Sequence, residues 1–108
     1  MRIFALVFLT ALSGCSKVEN TFIVKDTGLN IDSANLELCN SLIPLQRSGD
    51  RWSVTTPIDC KEAGQIRLHY ASSEEEICIV DYVTPDADQS IEFRVTENGC
   101  EVYNHFVS

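Results

Sequence analysis

Apolar and polar residues alternate with a period of two through most of this chain, and that restricts the fold more than any other feature. In Gln65 to Ala71, the apolar Ile66, Leu68 and Tyr70 alternate with Arg67, His69 and Ala71; further on, Ile91, Phe93 and Val95 alternate with Glu92, Arg94 and Thr96. Successive side chains of an extended backbone point to opposite faces, so such a run buries one face and wets the other. Ala34 to Cys39 repeats the pattern with Leu36 and Leu38, and Thr21 to Asp26 carries Phe22, Ile23 and Val24 before stopping at Gly28. Apolar residues nowhere recur at helical spacing over three turns. The pattern predicts an all-β domain of seven or eight short strands, with at most one helical turn at Asp59 to Ala63.

Runs recurring at roughly ten-residue spacing favour a small antiparallel β-sandwich over a closed barrel. It is immunoglobulin-like only in the loose sense. Trp52 follows Cys39 at a suitable distance, but the tyrosine expected two residues before the second cysteine is replaced by Glu76 before Cys78 and by Asn98 before Cys100. Leu42 to Gln46 and Arg51 to Thr56 flank Ser48-Gly49-Asp50 and read as a hairpin. With Gly49 and Asp50 as the turn, opposed residue numbers sum to 99, as do 39 and 60, which nominates a Cys39 to Cys60 bridge across the ladder. Pro44 and Pro57 interrupt that ladder. Ile77 to Thr84 is apolar on both faces and predicts a strand central in its sheet. Asp81 interrupts it, and either pairs with Arg67 or Arg94 or lies on an open face. Asn98-Gly99 is the strongest turn signal, and Cys100 to Val107 closes the chain.

The first fifteen residues carry a different message. Arg2 is followed by an apolar run from Ile3 to Leu12 and then by Ser13-Gly14-Cys15. A run of that length is right for a signal peptide and too short for a bilayer, which needs roughly 20 residues. Leu12-Ser13-Gly14-Cys15 resembles the lipobox of bacterial lipoprotein precursors. The resemblance implies that residues 1 to 14 are removed and that Cys15 carries lipid, with residues 15 to 20 as a short tether and residues 21 to 108 as the folded domain. Two or more acyl chains hold a protein stably where one does not. The residue after the cysteine is Ser16 rather than the Asp of inner-membrane retention, so the resemblance implies an outer-membrane address.

Removing Cys15 from the count leaves Cys39, Cys60, Cys78 and Cys100. Behind a signal peptide, an even set reads as two disulfides, with Cys39 to Cys60 and Cys78 to Cys100 as the preferred pairing. Paired short spacings of the zinc type are absent, and no metal or other cofactor is expected.

Eight Lys and Arg stand against sixteen Asp and Glu, a net charge of −8. Nucleic-acid binding needs clustered cations and is excluded on that balance, and a cationic protein partner would be attracted. An enzyme would need a base, and the two histidines, His69 and His105, have no nameable catalytic neighbour and sit at outward strand positions. No phosphate-cradling glycine loop or small-molecule pocket is legible, so neither catalytic residues nor a small-molecule substrate is assigned. Glu74, Glu75, Glu76, Asp86 and Asp88 are the charged loop residues most available for protein contact. Two function classes follow: a membrane-anchored envelope module that binds protein or serves a structural role, and a defensive inhibitor of a lysozyme-like hydrolase, a toxin or a phage receptor.

Overall fold

The structure is a computed structural model that describes residues 18 to 28 and 30 to 107. Nine strands form among them: β1 (Val18–Lys25), β2 (Ile31–Leu38), β3 (Ser41–Pro44), β4 (Gln46–Ser48), β5 (Arg51–Ile58), β6 (Glu62–Tyr70), β7 (Glu75–Val83), β8 (Gln89–Thr96) and β9 (Gly99–Val107). They make two sheets, a five-stranded sheet A in the order β4-β5-β1-β8-β9 and a four-stranded sheet B in the order β3-β2-β6-β7. The all-β sandwich with two disulfides is thus the fold. Segment 59 to 61 links β5 to β6 without the helical turn expected there, and β1 begins at Val18 rather than Thr21.

The alternation does what it promised. Phe22, Val24, Ile91 and Phe93 of sheet A meet Leu36, Ile66, Leu68, Cys78 and Val80 of sheet B in one buried core. Each large side chain buried there contributes about 1.5–3 kcal/mol. Asn20, also buried, donates from Nδ2 to Ala87 O at 3.2 Å and so fastens the β7–β8 loop to the core.

Two features close the flanks of the sandwich. On one, Pro44 ends β3 because it has no N–H for the ladder. Leu45 is buried and donates its N–H to Ala34 O at 2.9 Å, and the chain then leaves sheet B for sheet A as β4. The hairpin register summing to 99 is right for Gln46↔Ser53, Arg47↔Trp52 and Ser48↔Arg51. It stops there, because β3 pairs with β2 and the rest of β5 pairs with β1. Cys39 and Cys60 are bonded, but as a link from the β2–β3 turn in sheet B to the end of β5 in sheet A, not as a rung of a hairpin. On the other flank, Cys78 of β7 is bonded to Cys100 of β9.

Three expectations need correction, the first being the strand number, nine among the described residues rather than seven or eight. Purely antiparallel pairing fails at one interface: β1 and β8 run parallel, Asn20↔Gln89 to Lys25↔Arg94. And β7, apolar on both faces, is an edge strand rather than a central one. A bulge explains part of its composition. Glu62 pairs with Val83 and Gly64 with Val80, so Asp81 and Tyr82 together face the single residue Ala63. The extra residue turns Val83 inward beside Cys78 and Val80 and leaves Asp81 and Tyr82 exposed.

Candidate functional site

The loops nominated by charge lie at opposite ends of the molecule. Glu74, Glu75 and Glu76 sit where β7 begins and Asp86 and Asp88 lie beyond its end, so the nine residues of β7 hold the groups about 30 Å apart. They cannot form one contact surface, and most are engaged. Glu75 accepts from Arg67 at 3.0 Å and lies 3.3 Å from His69 Nδ1, Glu76 accepts the Tyr70 hydroxyl at 2.6 Å, and Asp88 accepts the Glu19 N–H at 3.1 Å. Arg67 also donates to Glu37 at 2.9 Å, and Gln65 donates to the same carboxylate at 2.7 Å. The result is a polar net across β2, β6 and β7 on the outer face of sheet B. Hydrogen bonds from Arg67 and Gln65 hold the Glu37 carboxyl below its ordinary range, and the Glu37 and Glu75 carboxylates hold the Arg67 guanidinium above its own.

His69 is outward, as expected, in that net. His105 is different. It stands opposite the buried Ile91 on the core-side face of β9, with Nε2 at 2.7 Å from Gln89 Oε1. Asp81 is exposed at the bulge and pairs with neither Arg67 nor Arg94. Among the described residues, the one cluster with metal-ligating atoms close together is Cys39, Cys60 and Glu62. Two of its members are oxidised sulfurs of a disulfide, and Glu62 Oε2 already accepts the Cys39 N–H at 2.7 Å. Cys15 lies outside the described residues.

The surface that sequence reasoning missed is the flank between β7 and β9. The cover that β7 gives the core-side face of β9 is incomplete. Val102 stands opposite the buried Phe93 yet is 55 % exposed. Beside it a groove of about 220 Å³ opens between the sheets, lined by Ile79, Asp81, Ile91, Phe93, Val102 and His105. The Cys78 to Cys100 bond closes the flank at the other end of the two strands. β9 itself is nine residues long, has no Pro or Lys, and carries exposed Val102 and Val107 on its core side and exposed Tyr103 and Phe106 on the outer side of sheet A, with the exposed Ile79 and Tyr82 on β7 across the flank. Edge strands are normally blunted by short length, charge or Pro. Here the blunting is confined to Glu101 and a bulge at Tyr103, where the pairing shifts between Glu92↔Asn104 and Phe93↔Val102. The apolar pairs Val102-Tyr103 and Phe106-Val107 were the available signal, since an interrupted alternation implies a bulge or two apolar faces.

The overall fold of this two-sheet sandwich is shared with solved structures. The chain is similar to the tip fimbrial protein Mfa3 from Porphyromonas gingivalis with C-terminal truncation, at a TM-score of 0.55 and 11 % identity over 83 % of this chain and 50 % of that one. It is also similar to a candidate cell adhesion protein from Bacteroides uniformis, at a TM-score of 0.60 and 9 % identity over 86 % of this chain and 50 % of that one. The chain spans half the length of each. No family model and no curated protein matches its sequence.

Proposed function

We propose that this chain is a small module of the cell envelope, anchored through lipid on Cys15, most simply in the outer membrane, and that it works by binding a protein rather than by turnover. The observation that carries the reading is the β7–β9 flank. A long edge strand with unpaired backbone groups and exposed apolar side chains is a template for an extended segment of a partner, whose main chain would continue the ladder while its side chains fill the groove. The similarity to a fimbrial tip protein and a candidate adhesion protein supports an envelope role, and the lipobox resemblance of residues 12 to 15 supports the anchor.

Two experiments test it. Photo-crosslinking residues placed in living cells at Tyr103 or Phe106 should give adducts with an envelope protein, whereas one placed at Leu42, exposed on the opposite flank, should not. Equal labelling from both flanks, or none from β9, removes the edge reading. Separately, Cys15→Ala should abolish incorporation of labelled fatty acid and release the protein from the membrane fraction; unchanged lipid labelling removes the anchor.

A further inference from the structure

The registers of sheet A place three cations side by side on its outer face. Arg51 in β5 stands directly opposite Lys25 in β1, and Lys25 directly opposite Arg94 in β8. Neighbouring strands lie about 4.8 Å apart, so positive groups emerge at one-strand intervals in a chain of net charge −8. Like charges directly opposed weaken a sheet, and a local rule broken in this way is characteristic of functional surfaces.

Neutralisation along the row is partial. Arg94 is 3.6 Å from Glu92 Oε2, with its guanidinium carbon 3.3 Å from the centre of the Tyr103 ring. Glu101 stands opposite Arg94 and ends the row, and Asp50 precedes Arg51 in the turn. Among the described residues, neither Lys25 nor Arg51 takes part in an ion pair. Next along the same face come Ser53, Ile23 and Glu92, then the hydroxyls of Thr55, Thr21 and Ser90, with Thr21 Oγ1 2.9 Å from Thr55 Oγ1. The net of Glu37, Arg67 and Glu75 lies on the outer face of the other sheet. That is beyond the screening length of about 8 Å at physiological salt.

We propose that this row is a binding site for an acidic polysaccharide, whose carboxylate or sulfate groups sit against Arg51, Lys25 and Arg94 while its hydroxyls meet Ser53, Thr55 and Thr21. One strand interval is comparable to the length of one sugar residue, so a glycan lying across the strands presents an anionic group to each cation. An anionic membrane is the poorer occupant. Membrane-surface binders set large apolar side chains among their cations to enter the acyl boundary, whereas the exposed ring nearest this row, Tyr103, is stacked on Arg94.

The test is titration calorimetry on the full chain in detergent, with dextran sulfate, polygalacturonate and uncharged dextran as probes. Both anionic polymers should bind and dextran should not. Lys25→Gln and Arg51→Gln should each weaken binding about tenfold, the loss of one charge-assisted contact, whereas Arg51→Lys should retain most of it. Lys61→Gln, which changes net charge equally away from the row, should leave affinity unchanged. Removing a repelled cation should not lower the unfolding temperature, so the variants should remain folded. The proposal is overturned if the anionic polymers do not bind, if the Lys25→Gln and Arg51→Gln double variant binds as before, or if Lys61→Gln weakens binding equally. It is also overturned if phosphatidylglycerol vesicles bind as tightly as the polymers with the same dependence on Lys25 and Arg51.

Discussion

Tyr70 donates its hydroxyl to Glu76 at 2.6 Å, and the other oxygen of that carboxylate lies where a side chain on Gly99 would begin. One carboxylate therefore packs between the ends of β6 and β7 and the β8–β9 turn of the opposite sheet. Burial first, then the hydrogen bond and charge of Glu76, with Asp26 and Glu74 adding, push the Tyr70 phenol well above its ordinary range. The folded protein keeps a proton that the unfolded chain loses near pH 10, so this contribution is complete below about pH 10 and is lost as pH rises through the folded value. Rapid thermal melts between pH 8 and 11.5 should show a decline above about pH 10 that is smaller in Tyr70→Phe. An equal decline in both would exclude Tyr70 as its source.

Acid acts on the opposite sheet face. The folded-state pKa of Glu37 lies below its ordinary 4.5, chiefly through the Arg67 hydrogen bond, so its contribution is present above about pH 4.5 and is lost as pH falls through the folded value. Glu37→Gln should be less stable than the parent at pH 7, with the difference shrinking towards pH 3. Urea titrations at the two pH values measure this, and a difference that grows in acid contradicts it.

The two disulfides should reduce in order. Cys39 and Cys60 are both half-exposed, whereas Cys78 is fully buried. Under limiting dithiothreitol, alkylation mapping should find Cys39 and Cys60 modified first. For loops of this length each crosslink contributes about 3 kcal/mol in the chain-entropy account. Modification of Cys78 and Cys100 first would show that opening of the β7–β9 flank, not static exposure, controls access.

Gly64→Ala should destabilise the domain by about 1–3 kcal/mol, the usual cost of forcing extra volume into a packed site. A methyl group there would sit 2.6 Å from Glu37 O and 2.7 Å from Leu38 Cδ1. The backbone of β2 must move to admit it. An unchanged urea midpoint would mean that the β6–β7 bulge absorbs the methyl group.

Local pattern carried the strands and long-range pairing did not. Ile66, Leu68, Phe93 and their neighbours were legible because a half-buried strand writes its two faces into alternate residues. The hairpin number 99 was legible for Gln46 to Ser53, where pairing is local, and misled beyond it because a proline followed by one buried leucine moves the chain to the other sheet. Strict alternation would put Val83 in phase with the exposed Ile79, and the bulge at Asp81 and Tyr82 inverts that phase. No local signal says that β1 lies parallel to β8. For that reason the alignment of Lys25 with Arg94, and with it the cation row, could not be read from residues 69 positions apart.

The place of β1 in the middle of sheet A has a mechanical consequence. A pull on the chain ahead of Val18 runs along β1, which is paired with β5 over its whole length on one side and with β8 from Asn20 to Lys25 on the other. If the load is taken up along β9, it passes through the β1–β8 and β8–β9 ladders, which are strained lengthwise instead of opening one rung at a time. Rupture under load follows the unfolding rate rather than the equilibrium stability. The cystines set a second limit: residues between Cys39 and Cys60, and between Cys78 and Cys100, add no length when the sheet gives way. The domain should therefore behave as a stiff link with short travel.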